Sequence, residues 1–143
     1  MALFQVVYVS SLVTDKPEIL SSIIDSSLRN NERSNITGMM LYSNGNVLQV
    51  LEGERADVLQ TFRAIQLDVR HYDIFVLIEE ELASRNFGSW SMGFRELTTD
   101  DLKKLPVADA VFKVRPGEIA LRVQPSEARI ILKSFTSGTM GIS

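Results

Sequence analysis

NITGMMLYSNGNVLQVLEG, residues 35–53, is the stretch on which the fold turns. Asn44-Gly45, standing between two strand-like runs, is a strong two-residue hairpin signal. In the second run Val47, Gln49 and Leu51 are spaced by two and share one face of a strand. A buried amide without partners costs about 1–3 kcal/mol per missing hydrogen bond. Gln49 therefore either bonds backbone at a sheet edge or answers a specific partner.

On the N-terminal side, LFQVVYVSS (residues 3–11) is rich in β-branched and aromatic residues and reads as a strand. Phe4, Val6, Tyr8 and Ser10 fall on one face of it. TDKPEILSSIIDSSLRNN follows as a helix, with Asp15 as N-cap, Pro17 in the first turn and Glu18 three residues past the cap. Ile19, Leu20, Ile23, Ile24 and Leu28 form its apolar stripe. On the C-terminal side, ERADVLQTFRAIQLD reads as a second helix burying Val58, Leu59, Phe62 and Ile65, and DIFVLIEEEL as a returning strand.

The order is β-α-β-β-α-β, the split βαβ or ferredoxin-like arrangement of the α+β class. Trp90, Met92 and Phe94 alternate as a fifth strand, so a mixed five-stranded sheet is expected, with two helices on one face and short C-terminal helices on the other. TTDDLKKL reads as a short capped helix, and PSEARIILKSF as a helix opening on Pro125 and Ser126, with Gly138 beyond its end. Pro116-Gly117 breaks the chain between them. Residues 1–97 are expected to form the core, and residues 98–143 an extension packed on the sheet. Ile119, Leu121, Ile130, Ile131 and Leu132 are expected mostly to cover the sheet.

With 143 residues, 45% hydrophobic and 23% charged, the chain suits one domain with a sizeable core. A net charge of −3 argues against a nucleic-acid partner. No apolar run approaches the roughly 18 residues of a membrane span, and the N-terminus lacks a signal-peptide pattern. No membrane is expected, and a cytoplasmic location is. The absence of cysteine removes thiol chemistry, and a single histidine, His71, removes a multi-histidine metal site. Neither GxGxxG nor GxxxxGK[ST] occurs, so no Rossmann or P-loop phosphate cradle is expected.

Sites are expected where local rules fail in a fold that otherwise obeys them. At about 100° per residue, Asn31 lies within roughly 20° of Leu20 and Ile24, and Asn30 aligns in the same way with Ile19 and Ile23. Two amides thus extend an apolar stripe; either one could instead be a helix C-cap. Tyr8 needs a hydroxyl partner if buried. Trp90 and Met92 read more readily as core than as site, and His71 alone reads as a surface loop residue. Taken together, Tyr8, Gln49, Asn30 and Asn31 can converge between the helices and the sheet. Apolar walls with a few oriented amides suit a flat heterocycle.

Tyr8 and Ser10 in VVYVSS, the run RNNERSNITGMMLYSNGNVLQVLEGE, LDVRHYDI and FGSWSMGF together resemble a BLUF domain, the blue-light sensor using flavin, over roughly residues 2–95. The resemblance implies a non-covalently bound flavin between the two helices: FAD, with FMN or riboflavin as alternatives. It places Ile23 and Ile65 against the ring system, Asn31 on the polar edge of the pyrimidine ring and Asn30 beside it. Asp68, Arg70 and His71 match the loop closing the same end. Gln49 matches the glutamine beside the central-ring nitrogen and adjacent carbonyl, and Tyr8 the tyrosine bonded to it. Trp90 and Met92 match the pair of which one approaches the glutamine.

The implied activity is light-driven electron and proton transfer from Tyr8 that rearranges the Gln49 hydrogen bonds and signals to a downstream protein. Self-association is expected, and enzymatic turnover is not. A light-insensitive ferredoxin-like module binding a metabolite would explain the topology, but not the joint placement of Tyr8, Asn31 and Gln49.

Overall fold

A computed structural model describes residues 3–14, 16–88, 90–113, 115–116 and 124–136. Asp15, Gly117, Ile119, Leu121 and Gly138, each given a role above, lie outside the described residues. The elements are β1 (Leu3–Leu12), α1 (Pro17–Arg33), β2 (Thr37–Ser43), β3 (Asn46–Glu54), α2 (Arg55–Gln66), β4 (His71–Leu82), β5 (Gly93–Glu96), α3 (Thr99–Lys104), α4 (Asp109–Phe112) and α5 (Pro125–Thr136). A single 3-10 turn, Pro106–Ala108, links α3 to α4.

The hairpin behaves as its two turn residues dictate. Asn44 and Gly45 take positive φ, 54° and 80°, and fold β2 antiparallel onto β3 from Ser43↔Asn46 to Thr37↔Glu52. The sheet order is β4-β1-β3-β2-β5, with β5 parallel to β2 and the other pairs antiparallel. This is the ferredoxin-like α+β sheet with one added strand. Because β1 and β3 are central neighbours, Tyr8 stands directly opposite Gln49.

Strand alternation then sorts the core onto two faces. Phe4, Val6, Tyr8, Met40, Val47 and Leu51 face α1 and α2, where Ile23, Val58 and Phe62 close on them. Val7, Val9, Met39, Leu41, Leu48 and Val50 face the C-terminal segment and are covered by Phe112, Ile131 and Phe135, among others. Thr98 caps α3 by accepting from the Asp101 N–H at 3.1 Å while the Asp101 carboxylate accepts from the Thr98 N–H at 2.9 Å.

Several expectations need correction. The N-cap position of α1 is Lys16, with Pro17 opening the helix and no side-chain cap. Its C-cap is Ser34, so neither Asn30 nor Asn31 ends the helix. Leu59 is exposed; the buried stripe of α2 runs through Val58, Thr61 and Phe62 instead. The fifth strand begins at Gly93, because the Trp90 N–H bonds the Phe87 carbonyl in a tight turn and the chain is not extended there. His71 is not on a loop: it opens β4 opposite Leu12 and is buried. On α5, Ile131 and Leu132 cover the sheet, while Ile130 is exposed.

Candidate functional site

α1 does not close fully on the sheet. Ile23 and Asn31 are its only fully buried residues, and Ile19, Leu20, Ile24 and Leu28 stay half-buried. The gap it leaves is a cavity of about 250 Å³ between α1, α2 and the end of the sheet. Ile23 and Ile65 supply apolar wall, Asn30, Asn31 and Gln49 supply amides, and Asp68, Arg70 and His71 stand at one end. Of these eight, Asn30, Asn31 and Gln49 are the residues that the apolar pattern singles out, and the other five are those that the resemblance implies.

At the sheet wall Tyr8 is fully buried and tilted against Phe62, with ring centroids 5.2 Å apart. Its hydroxyl donates to Gln49 Oε1. Burial pushes the Tyr8 pKa far above the ordinary phenol value, and the negative field of Asp68 pushes in the same direction. The group is a neutral hydrogen-bond donor. Gln49 Nε2 in turn points to Met92 Sδ at 3.6 Å, a weak acceptor. An amide carries two N–H groups and two acceptor lone pairs. Gln49 thus keeps one donor and one acceptor position beyond Tyr8 and Met92 while lining the cavity.

Trp90 takes no part in this chain. It packs with Phe87, ring centroids 6.3 Å apart, against the core on the opposite face of the sheet. Asn31 donates from Nδ2 to the Ser91 carbonyl at 2.7 Å, tying the last turn of α1 to the segment that delivers Met92. Asn30 donates to Thr61 Oγ1 at 3.0 Å and so links α1 to α2.

At the other end Arg70 grips Asp68 with its Nε at 2.9 Å and spans to Ser22 and Ser26 of α1 at 3.0 and 3.1 Å. That hydrogen bond is the main reason the Asp68 carboxyl is held below its usual range. Ser10 Oγ and His71 Nδ1 share a hydrogen bond at 3.2 Å across β1 and β4.

Burial lowers the His71 pKa, Asp68 partly opposes this, and Arg70 adds to it. The unfolded chain therefore takes up this proton at higher pH than the folded chain. Stability is present above about pH 6.5 and is lost as pH falls below it. His71 is the chain's one histidine. The urea midpoint should drop between about pH 7.5 and 5.5 in the native protein, and distinctly less in His71→Gln. Equal slopes in the two proteins would remove His71 as the cause.

Thr61, Ser22, Ser26 and Glu52 were missed in the sequence. Thr61 carried a usable signal: it is a hydroxyl in the apolar stripe of α2, the same kind of exception as Asn30 and Asn31. Glu52 carried one too, as a carboxylate continuing the face of Leu48 and Val50. The α1 serines gave none, since half-buried serines are common on helices.

No helix among the described residues is long and apolar enough to cross a membrane. A family model described as "BLUF: Sensors of blue-light using FAD" matches residues 3–93. The blue light- and temperature-regulated antirepressor BluF of Escherichia coli (strain K12) is 32% identical over 92 residues, 64% of this chain and 23% of that protein. The photoactivated adenylate cyclase subunit alpha of Euglena gracilis is 37% identical over 70 residues, 49% of this chain and 7% of that protein. This chain thus spans less than a quarter of either relative's length.

Among solved structures, BlrB in its dark state, a BLUF protein, superposes with a TM-score of 0.67 at 31% identity, covering 76% of this chain and 82% of that one. BlsA in its photo-activated state gives 0.76 at 23% identity over 94% of each chain, a likeness of fold. The chain belongs to the BLUF family, sensors of blue light that use FAD.

Proposed function

We propose that this protein is a blue-light photoreceptor that holds FAD non-covalently between α1 and α2 and signals through the hydrogen bonds of Gln49. The observation that carries this reading is the buried chain from Tyr8 through Gln49 to Met92, whose middle member lines the cavity with amide bonding capacity to spare. The residues fit the cofactor. A cavity of about 250 Å³ is smaller than the roughly 300–1,000 Å³ of sites that enclose a whole drug-sized ligand, which suits the ring end of a dinucleotide. Ile23 and Ile65 would flank the ring, Asn30 and Asn31 meet its polar edge, and Asp68, Arg70 and His71 stand at the cavity's other end.

A bound flavin supplies light absorption and, when excited, oxidising power. With the excited flavin as oxidant, Tyr8 would be the electron donor, and its proton would leave with the electron, since the oxidised phenol is a strong acid. The hydroxyl already donates to Gln49 Oε1, so the amide is the route by which that proton leaves and returns. After the return, what differs is how Gln49 distributes its hydrogen bonds among Tyr8, Met92 and the ring. Each orphaned bond would cost about 1–3 kcal/mol, so both arrangements must satisfy the amide, and Gln49 becomes a two-state element.

Residues 1–97 act as the sensing core, and residues 98–143 carry the change to a partner protein or a second copy of the chain. The relative named as an antirepressor supports output by protein contact. The test is a light-minus-dark difference spectrum of the purified protein. A yellow protein whose flavin band moves reversibly to the red under blue light is expected. A colourless protein, or a flavin-loaded one with no shift, would overturn the reading.

A further inference from the structure

On β3, Glu52 follows Gln49 by three residues and so faces the other side of the sheet, toward the C-terminal helices. Its side chain is fully buried. It accepts from Gln5 Nε2 at 3.1 Å, from the Asn86 N–H at 3.0 Å and from the Phe87 N–H at 2.8 Å. Beside it, Arg85 donates to Thr37 Oγ1 at 2.9 Å, to the Glu52 carbonyl at 3.2 Å and to the Asn35 carbonyl at 2.8 Å.

All of these except the Gln5 bond act on one segment. Residues 83–92 cross from β4 at one edge of the sheet to β5 at the other, and they end at Met92. Phe87 is the one side chain of residues 83–88 that is fully buried, so this part of the crossover has little core of its own. Methionine is flexible and its sulfur a weak acceptor. The 3.6 Å contact with Gln49 therefore depends on where the backbone is held. Bonds from N–H groups to a carboxylate are roughly twice as strong as neutral ones, and the one from Phe87 is buried.

We infer that Glu52 and Arg85 form a clamp that fixes the crossover and thereby sets Met92 against Gln49. β3 carries the switching amide on one face and, on the other, the carboxylate that positions the amide's neighbour. Glu52 is a positioning residue, and its role rests on the photocycle proposed above.

The test is the dark-recovery rate of the full, flavin-loaded chain after a blue pulse. Glu52→Ala leaves two backbone N–H groups without their acceptor. It should change the rate about fivefold while flavin content and the red shift remain. Glu52→Gln keeps an oxygen for the Asn86 and Phe87 N–H groups and should restore the rate to within about twofold.

In a Met92→Ala background, adding Glu52→Ala should move the rate less than about twofold, because the residue it acts through is gone. A general loss of stability would act alike in both backgrounds. Native recovery in Glu52→Ala, or equal changes with and without Met92, would overturn the inference. Should Glu52→Ala not fold, Arg85→Ala removes the half-buried half of the clamp and is held to the same two outcomes. Absence of any red shift in the native protein would instead defeat the photoreceptor reading, and the inference with it.

Discussion

Gln49→Leu should abolish the light-induced red shift while leaving the protein yellow. Leucine nearly matches glutamine in volume and suits the apolar face formed with Val47 and Leu51, so the cavity keeps its shape. It removes both the acceptor of the Tyr8 hydroxyl and the donor to Met92, and with them the amide to which the two bonding patterns are assigned in the proposal. The stability cost is the orphaned phenol, about 1–3 kcal/mol. Tyr8→Phe should have the same spectral outcome by removing the proton and the readily oxidised ring. The two variants are read together: flavin content from the absorbance ratio, then the light-minus-dark spectrum. A native photocycle in Tyr8→Phe would rule out Tyr8 as electron donor, and one in Gln49→Leu would rule out the amide as the element that changes.

Gly38→Ala should cost about 3 kcal/mol or more, the upper range for overpacking a close-packed interior. A Cβ at residue 38 would lie 2.0 Å from the Val50 carbonyl oxygen and 3.0 Å from its carbon. Both atoms belong to the backbone of β3, so no rotamer change relieves the clash. Only separation of β2 from β3 does, at the point where the Gly38 N–H also bonds the Trp90 carbonyl. Displacing β2 would disturb Met40, which lies opposite Gln49, and so the cavity wall as well.

Gly88→Ala is the control. Its Cβ would meet nothing nearer than Arg85 Cβ at 3.5 Å, and a change within about 0.5 kcal/mol is expected there. Urea midpoints of the two variants check the contrast. Similar values would mean that the close approach at Gly38 relaxes at little cost.

Legibility in the sequence followed the range of the interactions. Strand and helix periodicity, the Asn44-Gly45 turn and the Thr98 cap are settled by residues close along the chain, and these elements appear where the pattern puts them. The polar exceptions in apolar stripes were legible for a related reason. An amide on a buried face is costly without a partner, so Gln49, Asn30 and Asn31 stand out before any partner is known.

What failed was the fate of residues whose surroundings come from distant chain. Trp90 and Met92 have the spacing of one strand face, yet a turn before β5 sends them to opposite faces. His71 looked like loop because its burial comes from β1, about sixty residues away. Glu52 looked like one more strand carboxylate because its partners lie on β1 and on a crossover more than thirty residues downstream.

By itself, then, the sequence determined the order of elements, the two-faced sheet and the set of residues that break its apolar pattern, because propensity and periodicity act over a few residues. Tertiary structure alone decided that Met92 rather than Trp90 meets Gln49 and that Glu52 holds the crossover from behind. Those outcomes depend on strand order and on where a long crossover is pinned. They are set by hydrogen bonds between segments that share no local pattern.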